Sequence, residues 1–428
     1  MKKMIAALCA ACLLLVRPVS VQAAAPPDGI EARAALLMDA QTGQVLFDKN
    51  GSESLEPASI TKILTAMLAL EQLDPARPIS ASAGAVDIPS WATSAHLKAG
   101  EALTREQAVY ALLLPSGNDA ANVIAEAVSG SQQAFAQLMN ERAAALGAQN
   151  THFTNASGLP DEEHRTTALD MALITRGALQ TPGFLAYFGA ESYRMAGNGL
   201  SAEREFHNTH RMLRTDYPEY DRTVIGGKTG YTDSAGYTLV TAAQREGRTL
   251  ICVVLNSDRS YQDTAALLDY GFQNFIPYTY QFETPSVRLP LMDGEREAGT
   301  ALFAHQAAVP LFIREGTDAG QITVEYGLPQ NPRQSLEGTV RLLLPAQEGE
   351  IPPSLTLPLQ IQSIELFSPA RPALKEEQSQ KGTERHLPAW SLLMAAAAGG
   401  LAVRAVEVFR IRRRARRKLR RSPQGRMD

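Results

Sequence analysis

The chain has 428 residues, 45% hydrophobic and 20% charged, which suits two globular units plus tails and excludes a disordered or fibrous chain. The net charge of −4 hides an asymmetry: residues 404–428 set their Lys and Arg against only Glu407 and Asp428, a net of +9, leaving −13 on residues 1–403. An acidic body argues against nucleic acid as a partner, and a basic tail suits anionic lipid headgroups.

At the N-terminus, Lys2 and Lys3 precede an apolar run from Met4 to Val16, followed by the small residues around Ala23-Ala24-Ala25. Residues 1–24 therefore read as a signal peptide, cut short of a bilayer span by Arg17 and Pro18. Cys9 and Cys12 would leave with it, so the mature chain keeps Cys252 alone, inside the apolar strand pattern Thr249–Leu255. A lone cysteine there reads as core, with no disulfide framework and no Cys metal site.

The body begins with Ala34–Asp39 and Gln44–Asp48 around Ala40-Gln41-Thr42-Gly43, a hairpin pattern. A mostly apolar helical pattern then runs from Glu56 to Leu70, opened near Pro57, and should be buried. Helical character covers about 104–146, with a break at Ser116-Gly117-Asn118, and about 167–180. Strands return at Thr223–Gly227, Gly236–Gln244 and Thr249–Asn256, before a helix from about Gln262 to Phe275. Residues 30–277 thus predict an α/β (α+β) domain: an antiparallel sheet made from both ends of the segment, with a helical insert between them. From 279 to 367 short strand-like runs (Ser286–Leu289, Gln321–Val324, Val340–Leu343, Gln360–Ile364), separated by Gly and Pro, predict a small all-β sandwich.

Residues 368–387 read as a linker reaching about 65 Å when extended. The apolar stretch from Leu387 to Val403 is about 25 Å long as a helix. With Arg404 snorkelling, a membrane anchor over 388–409 and a basic cytoplasmic tail over 410–428 are expected. An amphipathic helix lying in the interface is the competing reading, and both attach the protein to membrane lipid. Export with the body on the extracytoplasmic face follows from the two ends together.

The chemistry starts at Ser59 and Lys62, three apart on one helix face. Ser-x-x-Lys alone means little, since about one arises by chance in a chain this long. Its setting says more. Lys62 falls in a first turn, where the helix dipole disfavours a cation, among Ile60, Ile63 and Leu64. Both effects favour a neutral amine able to take a proton. Ser116-Gly117-Asn118 can point a hydroxyl and an amide into a cleft from the break between helices. Lys228-Thr229-Gly230 ends a strand pattern whose glycines let a ligand backbone lie against an edge. Each motif alone reads equally well as a turn or a strand end; in this order and spacing they match the signature of serine β-lactamases and penicillin-binding proteins.

The sequence resembles the low-molecular-mass penicillin-binding proteins, the serine D-Ala-D-Ala carboxypeptidases related to penicillin-binding protein 5. Residues 30–367 carry the resemblance, chiefly Pro57–Lys62, Ser116–Ala121, Gly227–Thr232 and the loop Thr151–Pro160. It implies Ser59 as acylated nucleophile, Lys62 as its base and Ser116 as a proton relay. It also implies Asn118 on the substrate amide, backbone N–H groups of Ser59 and Tyr231 as oxyanion hole, and Lys228, Thr229 and Arg259 toward the terminal carboxylate. The substrate would be the D-Ala-D-Ala end of a peptidoglycan stem peptide, with β-lactam antibiotics as covalent inhibitors and no cofactor or metal. His210, where relatives often carry Asn, puts a cleft-wall contact in doubt. Gly117 in place of the Asp of class A β-lactamases favours the carboxypeptidase branch. Readings set against this are a β-lactamase, for which no deacylating Glu is placed; a D,D-endopeptidase; a zinc enzyme built on His152, Asp161 and His164; and an inactive wall-binding protein.

Overall fold

A computed structural model describes residues 25–284, 286–293, 296–327, 338–346 and 350–366. The expected signal peptide, linker, anchor and basic tail lie outside them. Among the described residues no helix is long and apolar enough to cross a membrane.

The hairpin forms as strands β1 (Ala34–Asp39) and β2 (Val45–Lys49), antiparallel with a bulge at Leu37/Met38. The chain then leaves the sheet for the helices α1 (Lys62–Gln72), α2 (Arg105–Leu113), α3 (Asn118–Ser129), α4 (Gln132–Ala145) and α5 (Ala168–Gln180). It returns through β3 (Val224–Thr232), β4 (Gly236–Arg245) and β5 (Arg248–Leu255), and closes with α6 (Ser260–Asn274). β5 pairs with β1, so both ends of the segment build one antiparallel sheet in the order β2-β1-β5-β4-β3, with β3 at its edge.

Period-two patterning fixes how this sheet is covered. Leu36 and Met38 of β1 and Ile251, Val253 and Leu255 of β5 face one core with α1, α3 and α5. Ala35 and Leu37, with Leu250, Cys252 and Val254, face a second core closed by Leu267, Leu268 and Tyr270 of α6. Cys252 is buried there, and burial pushes its thiol up to about 12, where it has no thiolate character. α1 runs through the first core with every residue from Lys62 to Ala69 buried.

Beyond α6 the described residues form β-strands, apart from loops and one 3₁₀ turn at Ala319–Gln321. Strands β6 (Phe275–Gln281) and β9 (Ala308–Arg314) pair, while β7 (Ser286–Asp293), β8 (Arg296–Ala304), β12 (Ser354–Leu366), β11 (Gly338–Leu343) and β10 (Thr323–Gly327) form a ladder in that order. Val309, Leu311 and Ile313 of β9 pack with Leu342 and Leu355 of the ladder. The sequence reading missed β6, β8 and β9. Phe275-Ile276-Pro277-Tyr278 continues directly from a helix, with only Phe275 buried and no clean alternation to mark a strand.

Candidate active site

Where α1 begins, the local fold differs from the expected unbroken helix. Ala58, a non-glycine residue at φ +51°, turns the chain into a single 3₁₀ turn, Ala58–Thr61, and α1 starts only at Lys62. The Thr61 hydroxyl donates to the Ala58 carbonyl at 2.8 Å and holds this tighter turn. Such a turn eclipses i and i+3, so the two side chains meet more directly than on an α-helix. Lys62 Nζ lies 2.8 Å from Ser59 Oγ.

Lys62 is fully buried, with two further partners: Asn118 Oδ1 at 2.9 Å and the Ser157 carbonyl at 2.7 Å. Burial, and then the charge of Lys228, hold its amine well below the usual lysine range, against a smaller opposite pull from Asp119. A neutral amine has two hydrogens and one lone pair. Asn118 Oδ1 and Ser157 O can only accept, so they take both hydrogens and leave the lone pair facing the Ser59 hydroxyl.

Asn118 opens α3, with one Nδ2 hydrogen donated to Thr93 O at 2.9 Å and the second left for a ligand. Ser116, just before it, sits at φ +64°, and its buried Oγ has no hydrogen-bond partner among the described residues. A strained, unpartnered hydroxyl of this kind is characteristic of functional sites. Asp119 fixes the arrangement from behind: its buried carboxylate accepts from Ser94 Oγ at 2.6 Å and from the backbone N–H groups of Ala95, Leu97 and Ala120 at 2.8–3.0 Å. It thereby holds the segment that presents Thr93 O.

The third side is β3. Sequence reading ended this strand at Gly230; it runs on to Thr232, because Tyr231 and Thr232 still pair with Tyr237 and Gly236 across the hairpin. Gly230 allows a close approach: a Cβ there would lie 2.4 Å from Thr238 Oγ1 and 2.9 Å from Ser59 N. The strand backbone leading to Tyr231 thus runs past the Ser59 amide. The Tyr231 side chain itself is exposed, and its hydroxyl donates to Asp233 at 3.1 Å. Thr229 Oγ1 meets Thr209 Oγ1 at 2.6 Å. Ser59, Ser116, Asn118, Thr229 and Tyr231 all line one cleft of about 900 Å³.

Lys228 is fully buried under this cleft and donates to Thr229 O at 2.8 Å. Burial pushes its amine down to about 7, against 10.5 in an exposed lysine. Between those values the unfolded chain holds a proton that the folded chain lacks, so this group makes stability rise with pH above 7 and adds no slope below it. Lys228→Met removes the effect. The wild-type Tm is therefore expected to gain a few degrees on that of Lys228→Met between pH 7 and pH 9. Parallel curves for the two proteins would mean that Lys228 is charged in the native state.

Two residues singled out in the sequence lie away from the cleft lining. Arg259 lies outside the cleft lining: its guanidinium pairs with the exposed Glu31 at 3.0 Å. The arginine that does line the cleft is Arg211, paired with Glu219 at 3.1 Å and set over the rings of Tyr217 and Tyr261. His210 is not a wall residue either. It is fully buried, with Nε2 2.7 Å from Thr241 Oγ1, and burial pushes it down to about 3. As for the histidine-based zinc reading, among the described residues no three His, Cys, Asp or Glu side chains converge as metal ligands. Sequence reasoning also gave no role to Ser157, because a backbone carbonyl leaves no side-chain signature, nor to Asp119, which stood inside a quoted motif.

A serine and a buried lysine at a helix start, a second serine on the opposing loop and a Lys-Thr-Gly edge strand define a serine acyl-transferase of the β-lactamase and penicillin-binding type. Residues 20–259 match the peptidase family described as D-alanyl-D-alanine carboxypeptidase. The chain belongs to that family and is a serine-type D-alanyl-D-alanine carboxypeptidase. It is 29% identical over 334 residues to D-alanyl-D-alanine carboxypeptidase DacF of Bacillus subtilis, covering 75% of this chain and 83% of that one. It is 31% identical to DacC of Escherichia coli over 82% and 85% of the two chains. Among solved structures, penicillin binding protein 6B from Escherichia coli is similar with a TM-score of 0.57 and 25% identity, over 80% of this chain and 97% of that one.

Proposed function

We propose that Ser59 is the nucleophile and Lys62 its general base in removing the terminal D-alanine from peptidoglycan pentapeptide stems. One observation carries this reading: the buried Lys62 Nζ, 2.8 Å from Ser59 Oγ, has two acceptor-only partners that turn its lone pair toward that hydroxyl. Lys62 takes the Ser59 proton as Oγ attacks the carbonyl between the two D-alanines. The negative oxygen that develops is stabilised by the N–H groups of Ser59 and Tyr231, a kind of contact that commonly lowers a barrier by several kcal/mol. Ser116 Oγ, without a hydrogen-bond partner among the described residues, passes the proton to the departing amine. Asn118 holds the substrate amide through its remaining N–H. Water then releases the acyl-enzyme; a β-lactam, whose leaving group stays attached, blocks this step.

Thr229 and Lys228 serve the terminal carboxylate, with an arginine beside them. Arg211 is already in the cleft. Arg259 can join by giving up an exposed ion pair worth about 1 kcal/mol or less, since its neighbours Ser260 and Tyr261 line the same cleft. Incubating the purified protein with a pentapeptide ending in D-Ala-D-Ala should release free D-alanine and a tetrapeptide. Cleavage confined to cross-linked muropeptides would favour an endopeptidase instead.

The organisation of the whole chain completes the proposal: a signal peptide over 1–24, a peptidase domain over 30–277, a β domain over 279–367, and a linker leading to an anchor over 388–409. The anchor holds the enzyme on the outer face of the cell membrane. Its support is the apolar stretch ending in a cluster of arginines. Deleting 388–428 should move the activity from the membrane to the soluble fraction, whereas a product still bound to membrane would point to retention of the N-terminal segment.

A further inference from the structure

The mechanism leaves His164 without a role, although it lies close to the nucleophile. It is 2% exposed and packs against Phe153 with ring centroids 5.2 Å apart. Its Nδ1 lies 3.0 Å from the backbone N of Thr154, and its Nε2 lies 2.9 Å from Thr61 Oγ1. These contacts settle the tautomer. A backbone N–H can only donate, so Nδ1 accepts and the ring proton sits on Nε2. The Thr61 hydroxyl gives its own proton to the Ala58 carbonyl, so it receives from Nε2–H. The chain of donors therefore runs Thr154 N–H to His164, His164 to Thr61, and Thr61 to Ala58 O.

Its two ends are the two halves of the catalytic pair's support. Ala58 is the strained residue whose turn delivers Ser59. Thr154 begins the loop whose Ser157 carbonyl takes a hydrogen from Lys62. That loop is rigid in itself: Asn155 Oδ1 accepts from the N–H groups of Ser157, Gly158 and Leu159 at 2.8–3.2 Å, and Thr65 of α1 donates to Ala156 O at 2.7 Å. Gly158 lies so close to the Ser59 turn that a Cβ on it would come within 1.8 Å of Ala58 O and 2.9 Å of Thr61 Oγ1. Burial pushes the imidazole down to about 4, against a smaller opposite pull from Asp161, so at neutral pH it stays the uncharged donor–acceptor this chain needs.

We infer that His164 is a positioning residue, clamping the Ala58–Ser59 turn through Thr61 against the loop that supplies Ser157 O to Lys62. The inference rests on the reading of Ser59 and Lys62 given above. Its test uses the full-length protein, three single variants and one double: His164→Leu, which removes donor and acceptor; His164→Gln, which keeps one of each; Thr61→Val, which removes the hydroxyl at nearly constant volume; and His164→Leu combined with Thr61→Val. The readouts are the acylation rate with a fluorescent penicillin and the kcat and KM for pentapeptide. In His164→Leu, acylation and kcat should fall roughly ten- to hundred-fold, as an ångström-scale misplacement does, with KM little changed. His164→Gln should recover most of the rate. Thr61→Val should fall like His164→Leu, and the double variant should be no slower than the slower single one, because both break the same chain. A wild-type rate in His164→Leu, a His164→Gln variant no faster than His164→Leu, or additive losses would overturn the relay. If His164→Leu does not fold, Thr61→Val carries the test, and a wild-type rate there overturns it. Wild-type protein that takes up no penicillin would sink the Ser59 reading itself; an unchanged rate in His164→Leu sinks only the relay.

Discussion

Ser59→Ala is expected to abolish covalent labelling by a fluorescent penicillin while leaving the fold and Tm nearly unchanged. Acylation needs an oxygen that can bond to the β-lactam carbonyl. Ser116, the other hydroxyl considered for catalysis, lies across the cleft on the loop before α3, without the Lys62 amine in contact with it. Loss of label should therefore be complete rather than partial. The structural cost is small because Ser59 is half-buried and its hydroxyl contacts Lys62 Nζ alone among the described groups. Removing one such hydrogen bond costs about 1 kcal/mol, a shift of a few degrees at most in a domain of this size. Lys62 keeps Asn118 Oδ1 and Ser157 O and does not become an unsatisfied buried group. Mass analysis of the penicillin-treated proteins, beside a thermal melt, checks both halves. Label surviving in Ser59→Ala would move the nucleophile elsewhere; label lost together with the melt would say only that the protein had unfolded.

The parts of this fold that were legible in the sequence are those with a strict period or a fixed spacing. β1, β4 and β5 alternate between two cores, and these strands and β2 were read to within a residue or two. Ser59 and Lys62 were legible because i,i+3 puts two side chains together in an α-helix and in a 3₁₀ turn alike, so misreading the local helix type did no harm. Less legible was whatever depends on backbone atoms or on rotamers. Ser157 acts through its carbonyl. Whether Arg211 or Arg259 faces the cleft depends on which carboxylate, Glu219 or Glu31, lies nearer each guanidinium. His164 drew attention as a possible metal ligand because His152 and Asp161 are its neighbours in sequence. The fold turns His152 Nδ1 toward Glu163 O and commits both nitrogens of His164 to Thr154 and Thr61. Sequence proximity could not reveal that division.

Lys62→Arg should lower the acylation rate by a factor of about 10² to 10⁴, and so should Lys62→Met. The comparison between the two identifies what the lysine does. Were Lys62 needed as a positive charge beside the nucleophile, arginine, which stays charged at all accessible pH, would keep much of the rate and methionine would not. Were it needed as a base, arginine fails as completely, since a guanidinium has no available lone pair; loss of a general base typically costs a factor of about 10² to 10⁴. The geometry favours the second outcome, with two N–H groups committed to Asn118 and Ser157 and the remaining position facing Ser59. The pH profile supplies a separate check. The neutral fraction of Lys62 grows as pH rises through its lowered pKa, so wild-type acylation should climb with pH along an acid limb that is absent from the residual rate of Lys62→Met. The charge of Lys228 is part of what lowers that pKa, so Lys228→Met should move the acid limb to higher pH in a protein that still has Lys62. An acid limb that stays in place in Lys228→Met would leave burial alone to account for the neutral amine. One that persists in Lys62→Met would assign the titration to another group and remove Lys62 as the base.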